Sequence, residues 1–174
     1  MKKNSWICQV FLWTFVLSIL FSYVTNLVSF NSSTIVTAVI ILVVIVVGII
    51  FDMMGTAALT SKESTFHAMG AKKIKGAKVA IKLIRNNVRV SSVCNDIVGD
   101  ICGIVSGGLG AVLALDIANQ FGWEITLITM IVSAIISALT VGGKAIFKSV
   151  AYKNCDKILF SVSKMLSIFT KNKH

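Results

Sequence analysis

Four apolar stretches, each long enough to cross a bilayer as a helix, constrain this chain more than any other feature. They run from about Trp6 to Phe30, from near Ser33 through TIVTAVIILVVIVVGII, from about Ser91 to Ala118, and from about Ile125 to Ala151. A span needs roughly 20 mostly apolar residues, so 174 residues hold four spans and little else. Composition agrees: 56% of residues are hydrophobic and only 14% charged, and the mean hydropathy is +0.87. The expected fold class is an all-α integral membrane protein with four transmembrane helices and amphipathic juxtamembrane helices. No room remains in these residues for a sizeable soluble catalytic domain.

The chain divides into an N-terminal span over 1–32, a membrane domain over 33–151 that contains a basic connection at 62–90, and a basic amphipathic helix over 152–174. Lys2 and Lys3 followed by an apolar run resemble a signal peptide. The run is long and ends without an Ala-x-Ala-like site, so it reads as a retained span. The third and fourth spans are separated only by NQFGWE, which makes them antiparallel neighbours.

Charge chooses the orientation. Lys and Arg number 17 against 7 Asp and Glu, a formal net charge of +10. With the N-terminus, the 62–90 segment and the C-terminus inside, all 17 basic residues fall inside or at inner span ends, while NSS and NQFGWE outside hold none. The expected localisation is therefore the cell membrane, multi-pass, with both termini cytoplasmic. Because the basic residues follow topology, no nucleic-acid partner is expected.

Two basic segments have helical periodicity. Ile74, Ala77, Ile81, Ile84 and Val88 form an apolar stripe beside Lys75, Lys78, Lys82, Arg85 and Arg89. Leu159, Val162, Leu166 and Phe169 stand against Lys157, Lys164 and Lys171 in the same way. Such helices lie at the membrane surface with their cations on anionic headgroups, as a gating belt or as simple anchors. Cys8, Cys94, Cys102 and Cys155 lack metal-ligand or disulfide spacing. Of these, Cys94 and Cys102 read as apolar packing residues. His67 is isolated, and no phosphate loop, catalytic triad or HExxH motif is present, so no enzyme is expected.

Ionisable groups inside a span are costly and point to function. In SVCNDIVGDICGIVSGGLG the third span carries Asn95, Asp96 and Asp100, with Gly99, Gly103 and Gly107 as a helix-packing stripe. The fourth carries Ser133, Ser137, Thr140, Lys144 and Lys148 on one face. Antiparallel helices put Asp96 and Lys144 at depths differing by ~3 Å. Two readings follow. Lys144 is the counter-ion of Asp96 or Asp100 and sets the hairpin register, or Asn95, Asp96 and Asp100 ligate a hard cation such as Mg²⁺.

The order of these features resembles the transmembrane domain of the CNNM and CorC/CorB magnesium transporter family. The carrying stretches are GTAALTS (Gly55 to Ser61), GAKVAIKLIRNNVRVSSVCND (Gly76 to Asp96) and GGKAIFKSVA (Gly142 to Ala151), within about Val36 to Ala151. The resemblance implies a three-helix core that dimerises and binds Mg²⁺ in a cavity open to the cytoplasm. Thr56 and Ser137 join Asn95, Asp96, Asp100 and Lys144 as ion-pathway candidates. The resemblance also identifies the chain as a divergent, minimal member without the family's cytoplasmic CBS pair, which a separate regulatory subunit would then supply. The family's second motif asparagine falls at Asp96, its glutamate at Lys144 and its proline at Phe147. The expected function is divalent-cation transport or homeostasis by a homodimer. The alternative is a non-transporting scaffold or partner subunit in which an Asp–Lys pair replaces the cation site.

Overall fold

The computed structural model describes residues 2–30 and 33–170, with side chains placed for 8–27 and 33–168. Asn31 and Ser32 of the expected outer NSS loop, together with Lys171 and Lys173, lie outside the described residues. The side chains of Lys2, Lys3, Trp6, Phe30 and Phe169 are likewise not described.

Among the described residues every regular element is helical. In chain order they are α1 (Lys2–Phe30), α2 (Thr34–Thr60), α3 (Glu63–Ala71), α4 (Ala77–Arg85), α5 (Asn87–Ser91), a π-helical segment (Ser92–Gly99), α6 (Asp100–Phe121), α7 (Ile125–Lys153) and α8 (Cys155–Thr170). Four stretches are long and apolar enough to cross a membrane: Cys8–Leu27, Thr34–Thr60, Asn87–Phe121 and Ile125–Lys153. Their outward surfaces are apolar too, with Phe11 at 79% exposure and Ile35 at 75%. Apolar surface on that scale suggests a membrane protein. Polar side chains within α1 fold back on the helix: Thr14 Oγ1 donates to Val10 O at 2.8 Å and Thr25 Oγ1 to Phe21 O at 2.7 Å. Both hydroxyls are thus satisfied without a partner from another helix.

The chain forms two compact units. One comprises Met1–Ile49 and Ile97–Gly143. Its core follows two i, i+4 stripes, Ile41, Ile45 and Ile49 on α2 and Ile101, Val105 and Leu109 on α6, joined by Ile136 of α7. Small residues let these helices close. A methyl group on Gly48 would stand 2.8 Å from Cys102 Cβ, and one on Gly110 would collide with Ile136. At the other end of this unit Gln120 Nε2 donates to Thr34 Oγ1 at 2.9 Å.

The second unit comprises Ile50–Asp96 and Lys144–His174. Phe66 of α3, Ala80 and Ile84 of α4, Leu159 of α8 and Ala58 of α2 make its core. Asp156 of α8 caps α3, its carboxylate accepting from Lys62 N at 3.3 Å and from Thr65 Oγ1 at 3.1 Å. Gly76 takes φ +95°, and a side chain there would press on the Lys164 backbone at 3.1 Å, so only glycine lets α4 start against α8.

The amphipathic stripe expected from Ile74 to Val88 is shorter than its spacing implies. Lys73 (φ 54°) and Gly76 adopt left-handed backbone conformations that keep Ile74 outside α4, and Ile74 and Val88 are exposed at 40% and 72%. The apolar face that remains, Ala77, Ala80 and Ile84, is buried by protein.

Candidate functional site

Where α2 leaves its most apolar stretch it carries Asp52, the single acidic residue between Thr34 and Thr60. Asp52 is only 6% exposed, and Thr56, one turn on, is 2% exposed. Thr56 Oγ1 donates to the Asp52 backbone carbonyl at 2.9 Å. Positions 52, 55 and 56 share one helical face. Opposite that face stands the π-helical segment. Asn95 Oδ1 lies directly against the Gly55 backbone, so close that a Gly55 side chain would overlap it, and Cys94 Cβ is 3.1 Å from the same point.

Asn95 is held from one side only. Its Nδ2 donates to Ser91 Oγ at 3.3 Å, while Oδ1 is buried with no hydrogen-bond partner. An orphaned buried oxygen of this kind is uncommon and costs about 1–3 kcal/mol when nothing satisfies it. The wider π turn between Ser92 and Gly99 shifts which residues face α2, and such turns are frequent at functional sites.

Asp52, Thr56 and Asn95 thus bring a carboxylate, a hydroxyl and an amide oxygen to one buried face of the second unit. All are hard oxygen donors, and Mg²⁺ is typically held by one or two carboxylates with several waters retained. Among the described residues no group of three His, Cys, Asp or Glu side chains could hold a metal ion, so a thiolate or imidazole site is not built there.

Of the residues expected from sequence, Asn95 and Thr56 come together at this face. Asp96 does not join them: it is exposed and accepts a hydrogen bond from Ser92 Oγ at 2.7 Å. Asp100 is exposed and starts α6. Asp100 and Ser137 belong to the first unit and Lys144, half-buried, to the second. Gly99 is buried, but an added methyl on Gly103 or Gly107 would meet nothing within 4 Å, so within the chain these two positions admit no close helix. The membrane-surface candidates Lys75, Lys78, Lys82, Arg85, Arg89, Lys157 and Lys164 are all exposed. Asp52 was not singled out from sequence, although a lone acid inside a long apolar run is the signal that finds it.

No family model, curated protein or solved structure matches the chain.

Proposed function

We propose that the chain inserts in the cell membrane as four spans with both termini cytoplasmic, and that it carries divalent cations, Mg²⁺ foremost, as a homodimer. The observation that supports this most is the buried Asn95 Oδ1, which has no hydrogen-bond partner, opposite the α2 face that carries Asp52, a carboxylate 6% exposed. A buried carboxylate costs several kcal/mol unless a proton or a cation compensates it. The unpartnered Asn95 Oδ1 and the buried Thr56 give a cation further oxygen ligands on the same face. The ordered resemblance to the CNNM and CorC/CorB family, which rests on the stretches around Gly55, Asn95 and Gly142, is consistent with this reading. In it Asp52 supplies the negative charge that Lys144 withdraws from the family's motif.

Magnesium flux into proteoliposomes containing the full chain tests the proposal. The native protein should conduct, and Asp52→Asn, which keeps shape and removes charge, should lose most of the flux. Mg²⁺ should also raise the Tm of the native protein more than that of Asp52→Asn, since preferential binding stabilises the folded state. A native protein that is inert to Mg²⁺ in both measurements would leave the scaffold function as the better account. Equal flux through Asp52→Asn would remove Asp52 from the pathway.

A further inference from the structure

A cavity of about 300 Å³ in the second unit is walled by Met54 of α2, Leu83 of α4, Leu159 and Val162 of α8, Cys94 of the π-helical segment, and Arg89. Apart from Arg89, these side chains are aliphatic or carry only sulfur. Nothing in such a wall orients a polar ligand by hydrogen bonds, so what fills it is hydrocarbon.

Arg89 has the opposite chemistry: it lines the cavity and is exposed. No acidic residue lines the cavity. Arg89 stands two residues inside the start of the apolar stretch Asn87–Phe121, the level at which a spanning helix meets headgroups and a long cation turns outward. A guanidinium there holds a phosphate through paired hydrogen bonds.

We infer that this cavity is a specific site for one anionic phospholipid, with part of an acyl chain between α2, α4 and α8 and the headgroup phosphate on Arg89. The site is separate from the oxygen donors at Asp52 and does not depend on transport. It differs from general attraction of the basic helices to a charged surface in having one place for the chain and one cation for the phosphate.

Native mass spectrometry of the full chain in detergent, titrated with phosphatidylglycerol or with phosphatidylcholine of the same acyl chains, tests it. One phosphatidylglycerol should bind saturably and more tightly than phosphatidylcholine. Arg89→Gln should weaken the first roughly tenfold, the loss of a charge-assisted contact, and leave the second unchanged. Lys72→Gln removes the same charge from an exposed position outside the cavity wall and should bind as the native protein does. Val162→Trp should weaken both lipids by filling the cavity.

A measurement on the unaltered sequence guards against misfolded variants. Cys94 is 8% exposed and lines the cavity, so phosphatidylglycerol should slow its maleimide labelling more than phosphatidylcholine does. Equal binding of the two lipids, equal losses in Arg89→Gln and Lys72→Gln, or Cys94 labelling indifferent to phosphatidylglycerol would overturn the site.

Discussion

Asn95 Oδ1 stands where a side chain on Gly55 would be, so Gly55 and Asn95 have to be considered as a pair. Gly55→Ala forces the amide to rotate away and presses on Cys94 Cβ, at a cost of about 1–3 kcal/mol for overpacking. Gly103→Ala meets nothing within 4 Å and should be neutral or stabilise by about 0.5–1 kcal/mol through helix propensity. Thermal unfolding of the two variants in detergent separates them; a Gly55→Ala protein as stable as Gly103→Ala would mean that α2 and the π-helical segment are not in close contact. The sequence marked Asn95 through its place in an apolar span, and Thr56 as a further ion-pathway candidate. It did not mark the partner residues. Gly55 entered only as the first residue of the GTAALTS stretch, and Asp52 was not among the candidates. The i, i+4 spacing of Asp96 and Asp100 says that they share a face but not whether that face is buried, and both are exposed; no residue type in SVCNDIVG announces a π turn.

Between elements, the exposed ionic contacts gather on Glu63 in the first turn of α3. Its Oε1 accepts from Arg85 Nε of α4 at 2.8 Å and contacts His67 Nε2 at 3.0 Å. The Arg85 guanidinium, then His67, hold the Glu63 carboxyl below its usual value of 4.5. A carboxyl lowered on folding stabilises the protein above its unfolded pKa, and that contribution disappears as pH falls through the folded pKa. Native Tm should therefore exceed that of Glu63→Gln near neutral pH by a small margin, as expected of an exposed pair, and the two should converge in acid below about pH 4. A gap that stays constant through the acid range would show that the charge of Glu63 is not what joins α3 to α4. Asp156 acts on α3 from α8, and Asp156→Ala should cost about 1 kcal/mol through the lost cap and speed amide exchange in the first turn of α3. The long helices were legible because hydropathy alone defines them. The α3, α4 and α8 cluster was not, because the periodicity of Ala77, Ile81 and Ile84 says that a face is buried but not whether lipid or protein buries it.

At the scale of the whole molecule, one asymmetry decides how the chain would sit in a bilayer. The stretch from Lys62 to Arg89 carries eight basic residues, while NQFGWE, the last residues of α6 and its turn to α7, carries none. Cations close to span ends resist translocation, so in the proposed orientation the first of these lies inside and the second outside. The aromatic pair at the α6–α7 turn, Phe121 and Trp123 stacked at 5.2 Å between centroids, has the amphipathic character of residues at a headgroup boundary. Asn119 and Lys75 are both exposed, so a cysteine at either position can react without unfolding the protein. In a chain with Cys8, Cys94, Cys102 and Cys155 replaced, a membrane-impermeant maleimide should label Asn119→Cys on intact cells. Lys75→Cys should react only after permeabilisation. The reverse pattern would invert the topology and put Arg89 of the proposed lipid site at the outer leaflet. Labelling of both positions on intact cells would mean that the stretch from Lys75 to Asn119 does not cross the bilayer an odd number of times, removing the four-span arrangement itself.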